Sequence, residues 1–165
     1  MQTLWSPWRM RYMMDNNKTE TCIFCDALRQ PDGVENLIVW RGEKSFVILN
    51  RYPYTTGHVM VVPVAHVDSL EKLDSATRGE MMELMTEMMI LLRDEYHPEA
   101  FNLGANIGAA AGAGIAEHVH LHIVPRWQGD TNFMSTIGET RVIPEDLTET
   151  YRRIRARVDE RLRKP

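Results

Sequence analysis

The chain has 165 residues, with 44% hydrophobic residues, 25% charged residues and a formal net charge of −4 at pH 7. That is the composition of one globular domain with enough chain for a real core. The negative balance argues against a non-specific nucleic-acid binder, and no apolar run approaches the roughly 20 residues of a membrane-spanning helix.

In chain order, residues 1–20 read as an N-terminal arm whose Trp5, Trp8 and Tyr12 pack on the body or on a second subunit. Arg9 and Arg11 are followed by no apolar stretch of signal-peptide type, so a cytoplasmic location is expected. Cys22 to Arg29 suits a short helix, stopped by Pro31-Asp32-Gly33. Residues 36–41 and 45–50 read as two strands of a hairpin about Gly42-Glu43. Asn50 ends the second strand. His58 to Val62 is a third strand, closed by Pro63, and His58 is expected to pack and hydrogen-bond near a site. Asp74-Ser75 is a helix N-cap pair. Met81, Leu84, Met85, Met88, Leu91 and Leu92 then recur at three and four, one apolar face of a long helix that ends at His97-Pro98.

Ala100 to Gly104 begins another strand. A loop of small residues follows, from Asn106 through Gly108, Gly112 and Gly114 to Ile115. Glycine allows positive φ, and crowded backbone N–H groups can cradle an anion. This loop is neither a Walker loop, lacking Lys-Ser/Thr, nor a Rossmann fingerprint, since a strand follows it. Asn106 offers an amide to the same pocket. The last segment starts at Pro144-Glu145-Asp146-Leu147, with Tyr151, Ile154 and Val158 spaced for one buried helix face and six arginines on a solvated one.

Two groups of residues carry chemistry. Cys22 and Cys25 are spaced C-x-x-C. Two thiolates cannot close a tetrahedral zinc site, so a metal here needs two more ligands. A redox pair and two inert residues are the alternatives. The other group is His118-Val119-His120-Leu121-His122-Ile123-Val124-Pro125-Arg126-Trp127. Histidine alternates with apolar residues, as on a half-buried strand, so three imidazoles share one face. They suit either a metal site or nucleophilic attack on phosphorus.

The stretch HVHLHIV resembles the motif of the histidine triad (HIT) family of nucleotide-binding hydrolases and transferases. FVILNRYPYTTGHVMVVPVAH upstream, PRWQGDTNFM downstream and the opening LWSPWRMRY resemble its diadenosine tetraphosphate phosphorylase-like branch. The resemblance implies an α+β fold: a meander of about five antiparallel strands, a long packed helix and a C-terminal helix, paired as a homodimer. It divides the chain into an arm (1–20), the HIT domain (21–135) and a helical extension of the same domain (136–165). It implies nucleotidyl transfer through a covalent nucleotidyl-histidine, cleaving diadenosine polyphosphates by phosphorolysis or hydrolysis without a metal in the chemistry. A purine nucleoside phosphoramidate hydrolase and a nucleotide-binding module with little turnover are the alternatives. His120 is the implied nucleophile and His122 a phosphoryl ligand, with His118 completing the triad. Asn50, Asn106, Gly112, Gly114 and Trp127 are implied at the nucleotide. Similar zinc-bearing members imply a structural zinc on Cys22, Cys25, His66 and His118. Hydrolases of the family commonly carry Gln four residues before the first histidine, and the phosphorylases compared carry Ser. This chain has Gly114 there.

Overall fold

The computed structural model describes residues 21–131 and 143–162. The expected arm, with Trp5, Trp8 and Tyr12, lies outside them, as do residues 132–142, which straddle the expected boundary between the domain and its helical extension. The elements run α1 (Ile23–Arg29), β1 (Ile38–Arg41), β2 (Ser45–Leu49), β3 (Val59–Pro63), α2 (Ser75–Tyr96), β4 (Ala100–Gly104), β5 (Leu121–Arg126) and α3 (Leu147–Leu162). The five strands form one antiparallel sheet, as expected of the α+β class.

The strand order is β1-β2-β3-β5-β4, which is not the simple meander expected. β5 inserts between β3 and β4, pairing Met60 with His122 on one side and Gly104 with His122 on the other. A chain read in order cannot reveal this. The 16 residues between Gly104 and Leu121 leave room for either side. The insertion makes the histidine strand an interior strand, paired on both sides at His122 and Ile123, while β4 becomes an edge.

α2 is capped as its sequence predicts. Asp74 accepts from the Thr77 amide at 2.6 Å, and His97 adopts left-handed φ 48° where Pro98 stops the helix. Met81, Leu84, Met85, Met88, Leu91 and Leu92 are all buried. Each such side chain contributes about 1.5–3 kcal/mol when removed from water. The methionines therefore serve mainly as core, apart from Met82, which is 57% exposed. The Glu80 carboxylate accepts from the Lys44 amide at 3.0 Å, the Ser45 amide at 2.9 Å and the Ser45 hydroxyl at 2.8 Å, tying α2 to the β1–β2 turn. Gly42 permits that approach, since a Cβ there would collide with the Glu80 carboxylate and lie 2.9 Å from the Ser45 carbonyl oxygen.

α3 buries Tyr151, Ile154 and Val158, as its spacing predicts. Its arginines are not simply solvated. Arg153 and Arg157 both reach Glu95 of α2 at 2.6 Å, Arg161 reaches Glu87 at 2.6 Å, and Arg155 donates to the Val39 carbonyl at 2.8 Å. These pairs span more than fifty residues of sequence, so no local pattern announces them. No helix among the described residues is long and apolar enough to cross a membrane.

Candidate active site and metal centre

The triad straddles a strand boundary. β5 begins only at Leu121, so His118 and His120 sit on the approach to it rather than within it. The Val119 amide donates to the Val67 carbonyl at 2.7 Å, which ties this approach to the segment after β3. The three rings still stay close. His120 and His122 lie 4.9 Å apart between centroids, edge to face. The buried Phe24 ring packs 5.4 Å from His118 and 5.1 Å from His120.

His118 turns toward α1. Its Nε2 lies 2.9 Å from the Pro63 carbonyl oxygen, which can only accept, so the proton of a neutral ring is on Nε2. Nδ1 is then a lone pair, and it faces Cys22 Sγ at 3.3 Å and Cys25 Sγ at 3.8 Å. His66 Nδ1 lies 3.3 Å from Cys25 Sγ. The four donor atoms of Cys22, Cys25, His66 and His118 all fall within 4.8 Å of one another. A tetrahedral zinc with bonds of 2.0–2.3 Å has edges of about 3.3–3.8 Å, so this donor set fits one. The carbonyl on Nε2 is also the partner that orients a ligating imidazole.

His120 is held the other way round. Its Nδ1 lies 2.9 Å from the His118 carbonyl oxygen, so Nδ1 carries the proton and Nε2 the free lone pair. Burial pushes its pKa below the usual histidine value, partly offset by that hydrogen bond, so the ring is neutral near pH 7.

His122 ends a chain of rings. The Tyr54 amide donates to His58 Nδ1 at 3.1 Å. A neutral His58 is then protonated on Nε2, which donates to His122 Nδ1 at 2.9 Å. His122 is left with its proton on Nε2, available as a donor. Burial, reinforced by the neighbouring imidazoles, lowers the His58 pKa to about 3, and burial with the charge of His120 lowers that of His122 to about 4. Both rings therefore stay neutral through the physiological range.

A cavity of about 310 Å³ opens beside His122. Its wall follows the face of β4 and β5 through Gly104, Val124 and Asn102 to Arg126 and Asp130, with the Tyr54 ring at the near end, stacked 6.1 Å from that of His122. The His122–Gly104, Val124–Asn102 and Arg126–Ala100 pairs are directly opposed, so their side chains share one face of the sheet.

The family model of the HIT domain matches residues 33–129. The chain belongs to the HIT family. An AP-4-A phosphorylase of Mycobacterium tuberculosis is 38% identical over 159 residues, which span 92% of this chain and 82% of that one. A Zn-bound histidine triad family protein from Mycobacterium smegmatis superposes with TM-score 0.68 at 28% identity, covering 86% of this chain and 95% of its own. A hypothetical histidine triad nucleotide-binding protein from Sulfolobus tokodaii gives TM-score 0.67 at 27% identity, covering 84% and 93%. The HIT match begins after Cys22 and Cys25, so the two thiols are supplied by chain outside it.

Around the HIT motif the remaining expected residues divide. Asn106 lines the cavity with His122, and its amide has no hydrogen-bond partner among the described residues. Asn50 lies under His58: its Nδ2 is 3.4 Å from the ring nitrogens and its Oδ1 accepts from the Tyr52 amide at 2.9 Å. The Gly112 amide is spent on the Ala109 carbonyl at 3.0 Å, in a turn closed at φ 84°. The amides of residues 114–117 make no backbone hydrogen bond among the described residues, so the available donors of this loop lie at Gly114 and beyond. Trp127 is not on the cavity wall. Its indole N–H donates to the Tyr96 carbonyl at 3.2 Å, anchoring the end of β5 to the end of α2. Arg126 and Asp130 are site-lining residues that the sequence reading did not select. The only signal for them was their place just beyond the triad strand.

Proposed function

We propose that this protein cleaves diadenosine polyphosphates, diadenosine tetraphosphate first among them, by nucleotidyl transfer through His120. The observation that carries this reading is the His120–His118 carbonyl hydrogen bond, which leaves Nε2 of a neutral buried ring as the nucleophile. The likeness to an AP-4-A phosphorylase at 38% identity supports the substrate class. Nε2 attacks the α-phosphorus, an N–P bond forms, and the bond to the bridging oxygen breaks to release ATP. Inorganic phosphate then attacks the nucleotidyl-histidine, the N–P bond breaks, and ADP leaves with the ring restored. His122 Nε2–H and the Asn106 amide donate to the phosphoryl oxygens as charge gathers on them, the role of an oxyanion hole. Cys22, Cys25, His66 and His118 hold a structural zinc, closed by four protein ligands and so with no open position for substrate. A homodimer fits the exposed edge strand β4, on which Leu103 is 47% exposed.

Gly114 presents no side chain that selects phosphate over water, so the acceptor is read directly from the products. Incubation with diadenosine tetraphosphate is expected to yield ADP plus ATP only when phosphate is present. AMP plus ATP instead makes water the acceptor and overturns the phosphorolysis. No product under either condition overturns the transfer reaction itself.

A further inference from the structure

The cavity extends well past the groups that handle the α-phosphate. From His122 to Arg126 is four residues of strand, about 13 Å. The acceptor that attacks His120-bound phosphorus must touch that phosphorus, so it has no use for the far end. In an in-line displacement the leaving group departs on the side opposite the nucleophile. A groove that starts at the phosphoryl ligands and continues along the sheet suits whatever that leaving group carries.

The far end is built for a neutral, planar occupant. Arg126 donates through Nε to Asp130 Oδ2 at 2.6 Å and through Nη2 to Asp130 Oδ1 at 2.7 Å. The carboxylate cancels the guanidinium charge, which a phosphate site would have kept. Arg126 Nη1 also donates to Asn102 Oδ1 at 2.7 Å. That bond fixes the Asn102 amide, leaving its –NH₂ turned away from Arg126 with no partner among the described residues. A rigid guanidinium plane and an oriented amide donor are groups that stack on and hydrogen-bond a nucleobase or ribose.

Resting on the proposed reaction, we infer that the Asn102–Arg126–Asp130 end of this cavity is a subsite for the second nucleoside, the one that departs with the leaving polyphosphate. Asn102 and Arg126 then set the preference for dinucleotides over single nucleotides.

The test uses two non-hydrolysable ligands in calorimetric titrations of the full chain: methylene-bridged diadenosine tetraphosphate and α,β-methylene-ATP, which lacks the second nucleoside. The wild-type protein is expected to bind the dinucleotide analogue about tenfold tighter. Asn102→Ala removes the donor, and Asn102→Trp fills the far end from an exposed edge-strand position. Both bring the two affinities together, with unchanged melting temperatures. A wild-type protein that binds the two ligands equally, or variants that keep the tenfold difference, overturn the subsite. Turnover is read separately. The affinity pattern without any nucleotide product would keep the subsite and sink the transfer chemistry, whereas turnover without the pattern does the reverse.

Discussion

His118 and His120 are two residues apart, share the Phe24 ring as a neighbour and are both buried, yet they are prepared for opposite tasks. At His118 a carbonyl takes the Nε2 proton and leaves Nδ1 facing two thiols. At His120 a carbonyl takes the Nδ1 proton and leaves Nε2 free. The side chains are chemically identical, so the main-chain acceptors decide which one suits a metal and which suits phosphorus. Residue type names the candidates; the carbonyl that each ring meets sets which nitrogen it leaves exposed.

The largest expected effect follows from that assignment. His120→Ala should lower turnover of diadenosine tetraphosphate by about 10⁴-fold or more, the scale seen when a covalent nucleophile is removed, while zinc content stays at the wild-type level. His118→Ala should show the reverse emphasis, losing metal first. Full turnover in His120→Ala, or equal zinc loss in both, would erase the division of labour between the two rings.

Next in size is the metal side. Cys25→Ser should abolish stoichiometric zinc in protein purified without chelator and lower folding stability by about 3 kcal/mol or more, because a structural ion binds only the folded chain. Metal analysis with chemical denaturation measures both. A variant that keeps its stability while losing zinc would leave the cluster without a structural role.

The His58–His122 pair gives a pH signature. A histidine free in the unfolded chain titrates near 6.5, whereas His58 is held to about 3. The unfolded chain therefore binds more protons as acidity rises. The stability from the neutral ring is complete above pH 6.5 and is lost as pH falls through this window, by about 3 kcal/mol at pH 4. His58→Asn should flatten that decline relative to wild type. Parallel curves in denaturant titrations from pH 7 to 4 would mean the ring is not held neutral by the fold. The same substitution removes the donor to His122 Nδ1 and should cost about 10²-fold in turnover, a magnitude typical of proton-positioning groups. It is the smaller catalytic loss, since His122 itself remains.

Much of this was visible in the residues alone. The apolar repeat of α2, the Asp74 cap and the buried face of α3 are local patterns, and local patterns survive in sequence. The triad and the C-x-x-C spacing point to side chains that the fold brings together, because motifs are also local. The tautomer of His118 was not visible, since it depends on the Pro63 carbonyl, fifty-five residues away. Nor was the tether of Trp127 to Tyr96, or the pairing of α3 arginines with Glu95 and Glu87. Each is set by strand order and helix packing, and β5 chooses its neighbours only once the sheet is assembled.

The acceptor that orients His120 belongs to the peptide backbone, and this has a consequence for inheritance. A point substitution at position 118 can change the ring, the charge or the bulk, but every amino acid brings the same C=O. The aim of the proposed attacking nitrogen is thereby insulated from coding changes at its own orienting residue. It is exposed instead to changes in chain path, such as an inserted residue in the 112–117 loop or a proline in place of Val119, whose amide holds the approach to β5 against Val67.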